Sequence, residues 1–366
     1  MLQDTSNIRN TMNILQVVPT LGNGGAEHFV CELSNELCRQ GHNVEILTLY
    51  DVPIDNPLRE GLDSRISIHS MNKKRGFEPH LFCSILKFIK TKSYDVVHGH
   101  VRAIPYLTIA SFLCKETRFI ATIHSEASFE AGTNINKWAR KIMFNLNTCI
   151  PVTISDESER SFEDFYGKKT ETIVNGVSQY SKKKMVTLRD NDKQTVFLHV
   201  ASCQTVKNQQ LLFAAFNKLL DRGCDAKIVW IGNTSIYQSL FESLKPLMRR
   251  NVTVLGEVEN VRDYMVAADA LCLSSKMEGM PMTIIEAFSV GRPVLCTPVG
   301  GCINMIENGV NGMISEDLTV ESYYRMLETF ITLNQDERCK LSSGSLNSFE
   351  NYSIENCAKR YLQIYE

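Results

Sequence analysis

Apolar residues in this chain fall into short runs, and helical-period stretches separate the runs. Residues 12–18 (MNILQVV) form a run of strand length, followed by the turn-rich LGNGGAE of 21–27. Phe29, Val30, Leu33 and Leu37 then recur at helical spacing. Gly41 is placed to end that helix, and 44–49 reads as the next strand. The alternation continues with strands at 66–68, 95–98, 119–123 and 149–154, and with helices after Pro79 and from near Ile104. Short strands alternating with longer helices predict βα units around a parallel sheet.

The pattern breaks at 179–192 (QYSKKKMVTLRDND), a polar stretch without apolar period that reads as a linker. It restarts with strands at 196–200, 227–231, 252–255, 270–273 and 293–296. Helices are expected at 209–220, 237–248, 261–267 and 282–290, and 354–365 reads as an amphipathic helix. The expected fold class is α/β, with two Rossmann-like doubly wound parallel-sheet domains. The first spans 1–178, with 1–11 outside the ordered fold; the linker is 179–192, and the second domain is 193–349. Ligands bind beyond the carboxyl ends of strands in such sheets. Two of them face to face would put the site in an interdomain cleft.

Composition narrows the picture. The 366 residues carry 39 Lys and Arg against 41 Asp and Glu, a net charge of −2, which argues against a nucleic-acid partner. No apolar stretch approaches the ~20 residues of a membrane-spanning helix. Residues 1–11 lack the apolar core of a signal peptide, so a cytoplasmic location is expected. The 12 cysteines are scattered without a CxxC, as expected of reduced, mostly buried thiols and not of zinc. One region departs from neutrality: 65–141 holds thirteen Lys or Arg against five acidic residues. The helix after Pro79 has an apolar stripe (Leu81, Phe82, Ile85, Phe88, Ile89) among lysines. It is expected either to pack on the core with a solvated basic face or to meet an anionic membrane surface.

The densest chemistry lies in 274–301, SSKMEGMPMTIIEAFSVGRPVLCTPVGG. Glu278 and Glu286 are eight residues apart and interrupt an apolar run, where an unpaired carboxylate is costly. Gly279, Met280 and Pro281 permit close backbone approach, and Pro281 suits a helix start. The free amides of Met282 and Thr283 would then form a phosphate site, flanked by two carboxylates able to grip sugar and ribose hydroxyls. That arrangement suits a nucleotide sugar. His98 and His100 (VVHGH) could suggest a metal pair. Alternate strand residues are read as pointing to opposite faces and no acidic third ligand is near, so a cleft-wall or structural role is expected. GNGGAE is not the GxGxxG dinucleotide fingerprint, and Glu27 there could simply favour a helix start.

The segment from Glu278 to Glu286 resembles the EX7E signature of the retaining GT-B glycosyltransferases of family 4. The likeness runs from Met12 to Glu366 through GNGGAE, VTISD at 152–156, IVNGV at 173–177, Lys207–Asn208, AADALCL at 267–273, GRPV and Asn311–Gly312. It implies that Met12 is an alternative start and that 350–366 is a helix crossing back onto the first domain. It implies that Glu278 lies along the donor sugar, that Glu286 holds the ribose, and that Met282 and Thr283 present amides to the diphosphate, with Gly279 and Met280 beside them. Lys207 would bind phosphate, Val258 the base, Gly24 and Gly25 the diphosphate, and His124 the region of donor sugar and acceptor. The implied partners are a nucleoside-diphosphate sugar (UDP- or GDP-linked) and a glycan or polyprenyl-linked acceptor, at the inner face of the plasma membrane. The implied setting is capsule, exopolysaccharide or O-antigen synthesis, with no cofactor and no metal. Two departures stand out: Ser202 takes the place of an expected Arg, with Lys276 a candidate substitute, and Asn304 replaces a frequent acidic residue. A nucleotide-sugar epimerase on the same fold, and a catalytically weak nucleotide-sugar-binding partner, remain as alternatives.

Overall fold

The computed structural model describes residues 11–22, 24–54, 56–76, 78–233, 246–258 and 260–366. They form two compact units: one runs up to Gly176 and also includes Ile354–Glu366, and the other is Val177–Ser353.

The first unit is built on a 7-stranded sheet of order β3-β2-β1-β4-β5-β6-β7. Its strands are β1 Asn13–Val18, β2 Asn43–Thr48, β3 Ser67–Ser70, β4 Val96–His100, β5 Arg118–Ile123, β6 Ile150–Thr153 and β7 Glu171–Thr172. All neighbours pair in parallel, with Asn13 opposite Asn43 and Ile14 opposite Val96 in the centre. The near-continuous apolar runs of these strands are what a parallel sheet covered on both faces requires. Leu15, Val97, Phe119, Met143, Phe144 and Phe162 lie in its core. The helix Ile354–Tyr365 completes this unit by packing on the helix Gly25–Arg39, with Tyr361 and Phe29 rings 5.9 Å apart.

The second unit has a 6-stranded parallel sheet of order β10-β9-β8-β11-β12-β13. Its strands are β8 Thr195–Val200, β9 Ala226–Ile231, β10 Val252–Gly256, β11 Ala270–Leu273, β12 Val294–Cys296 and β13 Gly312–Ile314. Phe197, Leu212, Phe216, Trp230, Tyr323 and Phe330 fill its core.

The expected linker 179–192 is instead a strap laid on the second unit. Asp263 accepts from the Tyr180 hydroxyl at 2.5 Å and from the Lys183 and Lys184 amides at 3.2 and 2.8 Å, and Arg189 pairs with Asp269 at 3.0 Å. Its polarity reflects these anchors. Of the helix expected at 237–248, residues 237–245 lie outside the described residues, as do 1–10; the described part is Pro246–Asn251.

The helix after Pro79, His80–Lys92, turns Leu81, Ile85 and Ile89 into the core, so its apolar stripe is packed on the sheet. Part of the basic excess is already used. Lys92 donates to Glu45 at 3.1 Å, Lys73 is buried and donates to the carbonyls of Lys74 and Gly76, and Arg140 is buried. Seven cysteines are buried as expected, whereas Cys83 and Cys339 are exposed. Among the described residues, no helix is long and apolar enough to cross a membrane.

Candidate functional site

In the second unit, two loops that leave the sheet at β8 and β11 are tied together. After β8 the chain makes a single turn, Thr205–Lys207, before Asn208 at φ 50° starts the helix Gln209–Asp221. The Gln209 side chain donates to the Ser202 carbonyl at 3.0 Å, fixing the loop in which an Arg was expected. After β11, the Ser274 hydroxyl donates to the Lys207 carbonyl at 2.9 Å and the Lys276 amide to the Val206 carbonyl at 2.7 Å. Exposed Lys276 thus leaves the backbone beside the Lys207 turn. Across this seam Lys207 Nζ donates to Glu278 Oε1 at 2.7 Å, and the Ser275 hydroxyl donates to the same oxygen at 2.5 Å. Glu278 is only 9% exposed, so the cation and hydroxyl offset its desolvation.

Beyond Glu278 the loop is held by close backbone packing. The Gly301 amide donates to the Glu278 carbonyl at 2.9 Å, and a Cβ on Gly301 would overlap the Gly279 carbonyl, with Met280 Cα also close. Pro281 then caps the helix Met282–Ser289 with extended backbone and no side-chain cap. The first-turn amides of Met282 and Thr283 therefore lack intrahelical acceptors, beside a lysine. Glu286 is half-buried further along the helix, Val258 is half-buried just after β10, and Asn304 is exposed. The structure brings Lys207, Glu278, Gly279 and the start of the 282–289 helix together.

The remaining predicted residues, Gly24, Gly25 and His124, lie in the first unit. Gly24 caps the helix Gly25–Arg39 with extended backbone, and a side chain there would collide with the Glu27 carboxylate. Burial pushes the Glu27 carboxyl up. His124 follows β5 and ends a buried polar chain. His98 and His100 do not point to opposite faces: two residues apart on a strand, they share one, with rings 4.1 Å apart.

The Gln16 carbonyl oxygen can only accept, so His100 Nε2 donates to it at 2.8 Å and His100 Nδ1 accepts from His124 Nε2 at 3.0 Å. His124 Nδ1 is left as an acceptor, buried and without a protein partner. The chain continues through Tyr365, which contacts His98 Nδ1 at 2.7 Å, and from His98 Nε2 to Thr122 at 2.7 Å and Tyr361 at 2.9 Å from Thr122. Burial pushes His124 down to about 3 and His98 and His100 well below the usual range, so all three are neutral. The His124 amide donates to Glu130 Oε2 at 2.7 Å, and Glu130 Oε1 pairs with buried Arg140 at 3.0 Å. Burial pushes the Glu130 carboxyl up, against the pull of Arg140.

Sequence reasoning missed Gln16, Thr122, Glu130, Arg140, Tyr361, Tyr365 and Ser275. Gln16 alone carried a signal, as a polar residue inside the apolar run 12–18. Among the described residues, no group of three or more His, Cys, Asp or Glu side chains is placed to hold a metal.

Two Rossmann-like parallel-sheet units, one bearing a lysine–carboxylate pair beside a bare helix start, define a GT-B glycosyltransferase. The model of the family described as "Glycosyl transferases group 1" matches residues 181–344, and that of "Glycosyltransferase Family 4" matches 23–179. The chain belongs to glycosyltransferase family 4. It is 22% identical to the N-acetyl-alpha-D-glucosaminyl L-malate synthase of Bacillus anthracis, over 93% of each chain. It is 23% identical to a Campylobacter jejuni enzyme, covering 96% of this chain and 98% of the relative. That enzyme is the GalNAc-alpha-(1->4)-GalNAc-alpha-(1->3)-diNAcBac-PP-undecaprenol alpha-1,4-N-acetyl-D-galactosaminyltransferase. The crystal structure of Anabaena Alr3699/HepE in complex with UDP and glucose superposes with a TM-score of 0.78 at 18% identity, covering 96% of this chain and 99% of that one.

Proposed function

We propose that this glycosyltransferase moves a sugar from a UDP- or GDP-sugar to a lipid-linked glycan with retention of anomeric configuration. The observation that carries the reading is the Lys207–Glu278 pair at 2.7 Å, beside the uncapped start of the 282–289 helix. A donor diphosphate would take Lys207 from Glu278 and accept from the Met282 and Thr283 amides. Glu278, released, would turn to a sugar hydroxyl, with Gly279 and Met280 alongside. Glu286 is assigned to the ribose, Val258 to the base, and Gly24 and Gly25 to phosphate.

In the reaction, the bond from the anomeric carbon to the diphosphate breaks, and the acceptor oxygen bonds to the same face of that carbon. The acceptor proton passes to the departing phosphate oxygen. Negative charge collects on the diphosphate, where Lys207 and fixed amides stabilise it. The proposal includes independence of metal and cofactor, because these groups supply the positive field. His124 Nδ1, held as an acceptor, would take a hydrogen bond from a sugar hydroxyl. The lipid-linked acceptor is suggested by the Campylobacter relative, whose name specifies a diphospho-undecaprenol-linked substrate.

The test is incubation of the protein with UDP- and GDP-sugars and a polyprenyl-diphosphate glycan, with and without EDTA, reading product anomers by NMR. Transfer with retention that survives EDTA and falls steeply in Lys207→Ala and Glu278→Ala is expected. An inverted product, or transfer unchanged by both substitutions, would overturn the assignment. Ser202, standing where a cation was expected, favours a second reading as a donor-binding partner; donor binding without turnover would establish it.

A further inference from the structure

Gln16 stands where the polar chain of the first unit branches. In the parallel ladder it lies opposite His98 of β4, and His100 lies opposite Thr122 of β5. One sheet face therefore carries all four side chains, and all four are fully buried. The glutamine amide differs from the rest in having a fixed donor end and a fixed acceptor end. Hydroxyls rotate, and a neutral imidazole can carry its proton on either nitrogen. The other members of the chain take their polarity from a neighbour.

From the acceptor end, Gln16 Oε1 accepts from His100 Nε2 at 2.8 Å, and the tautomer so imposed on His100 is passed to His124 at 3.0 Å. From the donor end, Gln16 Nε2 donates to the Tyr365 hydroxyl at 3.5 Å, which frees that hydroxyl to donate to His98 Nδ1 at 2.7 Å. His98 Nε2 then donates to Thr122 at 2.7 Å, and Thr122 to the Tyr361 hydroxyl at 2.9 Å. The chain has one other self-consistent polarity, with the amide turned over and every proton reversed. Both leave His124 Nδ1 without a protein partner, and they differ in whether it offers a lone pair or a proton. The amide as placed, with its oxygen toward His100, selects the lone pair.

We propose that Gln16 is a positioning residue: by fixing the tautomers of His100 and His124, it makes His124 Nδ1 a pure acceptor that takes a substrate O–H or N–H and refuses groups able only to accept. The inference rests on the proposed place of His124 near the donor sugar and acceptor. Gln16 is fully buried and acts through His100. The His124 ring is held from other sides as well. Glu130 Oε2 accepts from its amide at 2.7 Å, and the Phe29 ring meets it edge-on at 5.6 Å between centroids. Burial keeps the three histidines neutral, so none escapes the choice by taking a second proton. A phosphate or carboxylate oxygen at His124 Nδ1 would set lone pair against lone pair, whereas a sugar hydroxyl or an N-acetyl N–H would find a partner. The position thus sorts a neutral sugar from an anionic diphosphate.

The full chain labelled with [15N]histidine has eight imidazoles, and the signals lost in His124→Gln assign His124. Long-range proton–nitrogen NMR at pH 7 then reads which ring nitrogen carries the proton. A bare Nδ1 and a protonated Nε2 are expected in the unsubstituted chain. Gln16→Met, of similar shape, removes both amide ends. The His124 proton should then shift at least in part to Nδ1, and kcat/KM in the assay with UDP- and GDP-sugars should fall about tenfold, the worth of one hydrogen bond. Gln16→Glu again presents an oxygen to His100, and should restore the native tautomer and most of the rate. Urea unfolding checks that both variants fold. An unsubstituted chain with His124 protonated on Nδ1 would overturn the proposal before any variant is made. So would a folded Gln16→Met with the native His124 tautomer, since a rate loss there would report support of the fold alone. The expected tautomers without any sugar transfer would leave the polarity standing and remove the activity reading.

Discussion

The two candidate centres are built on opposite physical plans. In the second unit the chemistry is charged and close to the surface: Lys207 meets Glu278 in a seam between loops, at a helix start. In the first unit it is neutral and interior: His98, His100 and His124 are joined to Gln16, Thr122, Tyr361 and Tyr365 by hydrogen bonds. A charged seam can exchange its internal partner for a ligand. A buried neutral chain is part of the fold, so it can orient a group but is poorly suited to giving up its partners. Substitutions in the first unit should therefore damage stability before turnover, and those in the second should do the reverse.

Four experiments sharpen or break that contrast. Arg140→Met strands the Glu130 carboxylate in the core, and should cost about 3–5 kcal/mol in urea unfolding; a loss under ~1 kcal/mol would show the pair to be dispensable. Lys207→Ala should lower kcat about 10²–10³-fold and cost less stability than Arg140→Met, since Lys207 is partly solvated and Ser275 still donates to Glu278. Acid should separate the units. The folded-state values of His98, His100 and His124 lie below the ordinary 6.5, so their stability contribution is complete above that pH. It is lost as pH falls toward about 3 for His124, each histidine steepening the loss by up to about 1.4 kcal/mol per pH unit. The second unit has His199, depressed by burial to about 4. Hydrogen-exchange protection, relative to the free-peptide rate at each pH, should fall more steeply between pH 7 and 5 in β5 than in β8, and an equal fall would contradict this account. The smallest effect is expected of Tyr365→Phe, which removes one hydroxyl from the chain: about 1 kcal/mol of stability. A shift in the His124 imidazole NMR signals should accompany it, and the donor KM should stay unchanged.

Much of the architecture was legible because a parallel sheet writes itself in apolar runs. Residues 12–18 and 44–49 fall on β1 and β2, and Gly41 ends the intervening helix at φ +94°. The Lys207–Glu278 neighbourhood was legible through resemblance, with Ser275 invisible because a serine in a loop carries no periodic signal. What stayed hidden depends on long-range meetings. His98 and Tyr365 are 267 residues apart, and neither residue type announces a partner. The strap 179–192 looked like a linker because its order comes from Asp263 and Asp269, acceptors supplied by distant helix and loop positions. The helix Asn134–Asn145 was overlooked for a related reason: with Trp138 and Ile142 outward, its pattern does not separate into an apolar inside and a polar outside.

The first unit is discontinuous, since it ends at Gly176 and resumes at Ile354, whereas the second is one unbroken segment. The two crossing points are neighbours, joined by a bridge between Val177 and Ser353. A chain made from its amino end therefore supplies every residue of the second unit before it supplies Tyr361 and Tyr365. Until they emerge, His98 and Thr122 lack the hydroxyls that satisfy them, and the helix Gly25–Arg39 lacks the cover of Ile354–Tyr365. On the ribosome, the half that is begun first is completed last.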